Sequence, residues 1–245
     1  MSNYNGRRDF IKTSALGAAS LGVAGSGIGV NRVFAADSPI TTGSNLEYRF
    51  EAKPLKESTL RMEGISRKTM EEHFKLYQGY VNKSNEILGL LKQADPGKGN
   101  QIYSEIRVLK HELTFAIGGV KNHEIYFDHL GGNGGSPDGQ LLADIEKNFG
   151  SFDAWAADLK GTGLAARGWV WLAYDHDTGT LFNYLGDAQN TFPLWNATAI
   201  LALDTYEHAY FIDYAVNRGA YIDAFLKNID WSVVEDTYNA IQKNA

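Results

Sequence analysis

Six histidines, at positions 73, 111, 123, 129, 176 and 208, and no cysteine among 245 residues define the chemistry open to this chain. Without thiols there is no disulfide framework, no thiolate zinc site, no iron–sulfur cluster and no cysteine nucleophile. A metal would have to rest on imidazole and carboxylate. Asp204 and His208 stand four apart, a spacing that shares one face of a helix. The apolar run Ala197 to Leu203 instead puts Asp204 at the end of a strand and His208 at the start of a helix, and D-x-x-x-H alone fits many sites. His73 shares a helical face with Tyr77 and Tyr80, at i+4 and i+7, and that face reads as inward. A lone histidine there is more commonly a core residue, and His123 stands in the same position on the next helical segment. The chemistry turns on which of these groups converge.

The elements that would position them follow from periodicity. Between Ser66 and Leu91 the positions Met70, Phe74, Tyr77, Val81, Leu88 and Leu91 recur at helical steps, and Asp95-Pro96-Gly97 ends the run. A second helical pattern runs from Ile102 to Leu130 through Ile106, Leu109, Leu113, Ile117, Val120 and Phe127, with Gly118-Gly119 as a soft point. The pair predicts an antiparallel helical hairpin. The stretch G-G-N-G-G-S-P-D-G, 131–139, reads as a loop and domain boundary, since it lacks the Gly-Lys-Ser/Thr ending of a phosphate loop. Helices are predicted near Gln140 to Phe149 and Ser151 to Leu164, with Ser151 as a cap. Trp169 to Tyr174 and Thr180 to Tyr184 flank Asp175-His176-Asp177-Thr178-Gly179 as a β-hairpin, and Ala197 to Leu203 adds a third strand. Helical patterns close the chain at Tyr206 to Tyr214, Tyr221 to Asn228 and Trp231 to Lys243, the last capped by Asp230 or Ser232. The expected fold is α+β: an N-terminal hairpin over 48–133, then over 134–245 a small antiparallel three-stranded sheet with surrounding helices.

The composition is that of a globular protein, with 44% hydrophobic, 12% aromatic and 21% charged residues. A formal net charge of −6 and no basic stripe argue against nucleic-acid binding. Residues 1–35 stand apart. Gly6 to Lys12 read G-R-R-D-F-I-K, an uncharged stretch follows to Val30, and Val33-Phe34-Ala35 offers a small-residue cleavage site. This resembles a twin-arginine export signal. Glycine at 17, 22, 25, 27 and 29 makes the stretch a poor membrane span. Removing Arg7, Arg8, Lys12 and Arg32 with Asp9, a net +3, takes the charge from −6 to −9. The implied product is exported already folded, with a periplasmic or other external location and no stable membrane span after cleavage.

T-M-E-E-H at Thr69 to His73 with Q-G-Y-V at Gln78 to Val81, G-G-V-K-N-H at Gly118 to His123, G-W-V-W-L at Gly168 to Leu172, and D-T-Y-E-H-A-Y at Asp204 to Tyr210 resemble, in order, the landmark segments of the iron/manganese superoxide dismutase family. The resemblance covers nearly the whole chain after the export segment. It implies an enzyme that converts superoxide to O₂ and H₂O₂ on one Mn or Fe cycling between 2+ and 3+, with His73, His123, Asp204 and His208 as ligands. It also implies Tyr80 as a proton-passing phenol, Gln189 in G-D-A-Q-N-T-F-P-L as a donor to the solvent ligand, and Trp169 as an apolar wall of the pocket. Glu207 would reach across a homodimer interface to the partner's ligand histidine. Gln189 is the placement of manganese members, where iron members carry a Gln at the place of Gly119; Val120 fits the iron pattern.

Certain residues depart from that pattern. His73 to Tyr80 spans seven residues rather than eight, Tyr77 or Leu76 stands where a histidine is usual, and Tyr206 and Phe127 replace tryptophans. Lys75 and Arg218 lie near the places of anion-steering residues, Arg218 one position off. Two further readings use the same ligands: a metal-binding relative without turnover, and a zinc hydrolase, for which no general base or paired Glu at the spacing of zinc proteases is present. His111, His129 and His176 match no ligand position and read as surface or structural residues.

Overall fold

A computed structural model describes residues 48–191 and 195–243. The segment resembling an export signal, 1–35, lies outside the described residues, as does the tripeptide 192–194. Helix α1 (Arg67–Leu91) begins where the Ser66 hydroxyl accepts the Thr69 amide at 3.1 Å, satisfying one of the free N–H groups of the first turn. Asp95 and Pro96 then set a short 3₁₀ turn over Pro96–Lys98. Helix α2 (Glu105–Asp128) starts later than periodicity alone predicts. The Asn100 carboxamide accepts the Ile102 and Tyr103 amides at 2.8 and 3.3 Å, a local turn that competes with helix, and the Ser104 hydroxyl then caps α2 by accepting from Arg107. Ile102 is accordingly 85% exposed rather than part of the apolar face.

Helices α3 (Gly139–Phe149) and α4 (Phe152–Ala165) follow, the second capped by Ser151 accepting from Ala154 at 3.0 Å. Strands β1 (Trp169–Asp175), β2 (Thr180–Gly186) and β3 (Ala197–Asp204) form one antiparallel sheet in the order β2-β1-β3. The central strand pairs Trp169 with Gly186 on one side and with Asp204 on the other, so the sheet edge carries a tryptophan and a carboxylate side by side. After β3 the expected helix over 206–214 is broken into a 3₁₀ turn at Glu207–Ala209 and the short helix α5 (Phe211–Tyr214). The break falls at Tyr210, whose φ of −144° leaves the helical well while its ring stacks on Tyr221. Helices α6 (Arg218–Lys227) and α7 (Trp231–Gln242) complete the order.

One continuous hydrophobic cluster joins Met70, Val120 and Leu130 of the hairpin to Leu172, Leu201 and Phe225 of the sheet and later helices. The glycine-rich stretch is fastened rather than free: Gly131 and Gly132 amides donate to Asn228 O, and the Trp231 indole donates to Gly135 O. Among the described residues no helix is long and apolar enough to cross a membrane.

Candidate metal centre

Four side chains from three elements meet at one point. His73 comes from α1, His123 from α2, Asp204 from the end of β3 and His208 from the turn after it, and one donor atom of each lies within 4.8 Å of the others. Asp204 Oδ2 is the hub, 3.1 Å from His73 Nε2, 3.1 Å from His208 Nε2 and 3.6 Å from His123 Nε2. The other oxygen, Oδ1, accepts the Tyr206 amide at 2.8 Å, which fixes the carboxylate and turns the chain out of the strand. His73, His123 and Asp204 are buried, and His208 keeps 26% side-chain exposure, so the centre opens on its side.

The protonation of this cluster is what calls for a cation. His123 Nδ1 lies 2.6 Å from the Gly119 carbonyl, an acceptor, so Nδ1 carries the proton and Nε2 presents a lone pair. That Nε2 is buried with no hydrogen-bond partner and faces a carboxylate oxygen. Two electron pairs aimed at each other in a dry interior are unfavourable unless a positive charge sits between them. Burial pushes His123 down to about 3 and also lowers His73, keeping both imidazoles neutral. For Asp204 burial acts upward, but His208 and His73 outweigh it and hold the carboxyl below its usual range, and His208 is raised by Asp204 against its own burial. An ion about 2.1 Å from each donor would separate them by about 3.0 Å at a right angle and about 3.6 Å at 120°. The 3.1 to 3.6 Å from Asp204 Oδ2 to each imidazole nitrogen fits a first-row metal shared by that carboxylate and the imidazoles, the four donors all lying within 4.8 Å of one another.

Around the cluster runs a polar chain. The Trp169 indole donates to Gln189 Oε1 at 2.9 Å, and Gln189 Nε2 donates to the Tyr80 hydroxyl at 3.2 Å. Tyr80 lies against His123 with ring centroids 5.4 Å apart, so the one-residue shortening between His73 and Tyr80 does not remove the phenol from the site. Tyr206 stacks on His208 at 5.3 Å and 15°, filling the place of an expected tryptophan.

Gly118 and Gly119 are not a soft point. Helix α2 runs through them unbroken, and each permits a close approach. A Cβ on Gly118 would fall 2.0 Å from Gln189 O, and one on Gly119 2.6 Å from the Tyr80 ring. The Gln189 main chain is also held by Asn122 Nδ2, which donates to Gln189 O at 3.2 Å while Asn122 Oδ1 accepts the Trp171 indole. Asn122 carried no expectation from sequence; its only signal was adjacency to His123.

The remaining candidates divide. Glu207 is exposed beside His208, and among the described residues its carboxylate makes no hydrogen bond or ion pair. Lys75 pairs with Glu72 on the exposed face of α1. Arg218 does not face the centre: it donates to Tyr210 Oη and to the carbonyls of Gly163 and Ala166. Tyr77, in place of the usual histidine, accepts the Lys53 amide and donates to Glu124. His111 and His176 are exposed, whereas His129 is buried and is not one of the converging donors.

Comparison with known proteins agrees with this geometry. Residues 47–131 match the alpha-hairpin domain of iron/manganese superoxide dismutases, and residues 137–237 match their C-terminal domain. A protein named superoxide dismutase [Fe] from Aquifex aeolicus is 44% identical over 187 residues, 74% of this chain and 88% of the relative. Another so named, from Cupriavidus metallidurans, is 38% identical over 187 residues, 74% of this chain and 92% of its own length. One named superoxide dismutase [Mn], from Haloarcula marismortui, is 38% identical over 166 residues, 66% of this chain and 79% of the relative. With both domains matched in order and the four donors gathered on one carboxylate, the chain belongs to the iron/manganese superoxide dismutase family.

Proposed function

We propose that the chain dismutes superoxide with one Mn or Fe held by His73, His123, Asp204 and His208, and that Tyr80, Gln189 and Trp169 manage the protons. The observation that carries the reading is the hydrogen-bonded chain Trp169–Gln189–Tyr80 ending beside His123. When bound, the metal supplies a one-electron couple between its 2+ and 3+ states. One superoxide then loses an electron to become O₂, and a second gains one with two protons to become H₂O₂.

The protein's part is to place protons without letting them leak. The Tyr80 oxygen accepts from Gln189, so its own O–H is free to donate outward, and burial raises its pKa, so at neutral pH it is a phenol and a donor. Gln189 is fixed in one orientation because Oε1 is taken by the Trp169 indole, which leaves its amide hydrogens pointing at Tyr80 and the centre. Trp169, fully buried and edge-on to His123 at 5.2 Å, excludes bulk water from that side.

Manganese is our preference within the pair. Gln189 reaches the site from the β2–β3 connection, and Gly119 leaves no room for a longer side chain against Tyr80. The relatives named as iron enzymes stand against that preference, and metal content decides it. We further propose a homodimer in which exposed Glu207 meets the partner's ligand histidine, and export of the folded, metal-loaded chain by the twin-arginine machinery. Divalent Mn and Fe lose to Cu and commonly to Zn at nitrogen and oxygen sites, so loading before export avoids the competition outside. Replacing the first 35 residues, Arg7 and Arg8 included, with a general secretory signal is expected to give exported protein carrying the wrong metal. Correct metal and full activity from that variant would overturn the export reading.

The activity is tested by superoxide consumption of the purified chain beside Gln189→Ala and Tyr80→Phe. The expected result is rapid consumption that falls about 10- to 100-fold in Gln189→Ala with metal retained. Hydrolysis of esters or peptides with bound zinc and no superoxide consumption would replace the reading with the hydrolase.

A further inference from the structure

Tyr126 and Tyr221 take no part in the proton chain, yet they connect the metal centre to the far side of the fold. The Tyr126 ring lies 5.0 Å from the ring of His73 and 6.3 Å from Trp169. Its hydroxyl is 3.1 Å from that of Tyr221, and both residues are fully buried, with Phe225 stacked on Tyr126. From Tyr221 two tyrosines lead on: Tyr210, stacked at 5.1 Å, and Tyr214, at 6.3 Å and half-buried at the surface.

The two exits differ in charge. The Arg218 guanidinium lies over the Tyr210 ring at 5.7 Å and its Nε donates to the Tyr210 hydroxyl at 3.2 Å. A cation there opposes removal of an electron from Tyr210. Tyr214 lies instead in the field of the carboxylates of Asp213, Asp223 and Glu63, and negative charge favours that removal.

We propose that Tyr126, Tyr221 and Tyr214 form a relay that carries one-electron oxidising equivalents away from the metal centre to the surface, so that damage by the product falls on Tyr214 rather than on the ligands. The relay rests on the dismutase reading, because H₂O₂ is the source of the oxidant. A bound metal in its reduced state would supply one electron to H₂O₂, whose O–O bond would then break to give hydroxide and a hydroxyl radical. The radical takes a hydrogen atom from the Tyr126 hydroxyl and becomes water, leaving a Tyr126 phenoxyl radical. Tyr221 returns a hydrogen atom across the 3.1 Å contact, restoring Tyr126 and becoming the radical itself. Tyr221 then recovers one electron and one proton at the expense of Tyr214, so that one hydrogen atom has passed inward and the unpaired electron stands at the surface. A soluble thiol can return that hydrogen atom, leaving a thiyl radical in solution.

The test uses the full iron-loaded protein, its iron content measured, exposed to added H₂O₂ with a nitroso spin trap and then mapped by peptide mass spectrometry. In the wild type the adduct is expected on Tyr214. In Tyr221→Phe and in Tyr126→Phe it is lost from Tyr214, and oxidation appears on His73, His123 or Trp169, while superoxide turnover of both variants equals that of the wild type. Tyr210→Phe keeps the adduct on Tyr214. A wild type without an adduct at Tyr214, or one whose Tyr214 adduct persists in Tyr221→Phe, overturns the relay. Because peroxide is supplied from outside, a chain that relays but does not consume superoxide defeats the dismutase reading alone, and a chain that takes up neither iron nor manganese defeats both.

Discussion

His123 and His129 sit six residues apart on and just beyond the same helix, both buried and both pushed down to about 3 by that burial, and only one of them belongs to the metal centre. The His129 ring has an unpartnered Nδ1 like an orphaned ligand, but the charges acting on it are those of Lys56 and Asp230, and among the described residues it belongs to no group of three or more donors that could hold a metal. His123 presents its lone pair to an oxygen that two other imidazoles also face. Burial and a depressed pKa therefore do not make a ligand. What does is a set of electron pairs that can be reconciled only by a cation.

The comparison is broken most directly by exchanging the two roles. His123→Ala is expected to abolish metal binding and turnover together, whereas His129→Ala keeps one metal per chain; elemental analysis of the two variants checks this, and equal loss in both would erase the distinction. Next in size, Gly118→Ala places a methyl group 2.0 Å from Gln189 O and must displace the donor that reaches Tyr80. We expect metal to stay and superoxide consumption to fall about 10- to 100-fold, as for loss of a group supporting a metal site.

The His129 side of the comparison is sharpened by acid. Its folded pKa lies below the unfolded 6.5, so between pH 6.5 and about 3 the unfolded chain binds a proton that the folded chain refuses. The stability it contributes is complete above pH 6.5 and is lost as pH falls toward 3, up to about 5 kcal/mol over that window. His129→Gln should flatten that limb of a denaturation-against-pH curve without altering metal content at pH 7. The smallest effect belongs to Lys75→Gln, which removes an exposed, solvent-screened pair with Glu72 and should leave the thermal unfolding midpoint unchanged.

The four side chains that converge on Asp204 were singled out in the sequence through their motifs, and the helical hairpin and three-stranded sheet were legible through periodicity. Several features were not, for physical reasons. Ile102 continues the helical pattern, but Asn100 captures the amides that a helix would need, so α2 begins three residues later. Gly118-Gly119 reads as weak helix from intrinsic propensity, yet tertiary approach by Tyr80 and Gln189 uses the missing side chains. Arg218 stood near the place of a steering cation, and three acceptors at Tyr210, Gly163 and Ala166 draw it elsewhere. Asn122 joins Trp171 to the Gln189 main chain, a link between residues 49 and 67 positions away that no local pattern records.

The central claim is that four donors around Asp204 hold a redox metal that turns over superoxide. It is tested most directly by elemental analysis and superoxide consumption on one and the same sample of the native protein, beside His208→Ala. The account predicts about one Mn or Fe per chain, rapid consumption, and loss of both in the variant; zinc in the site, or bound Mn or Fe without consumption, would contradict it.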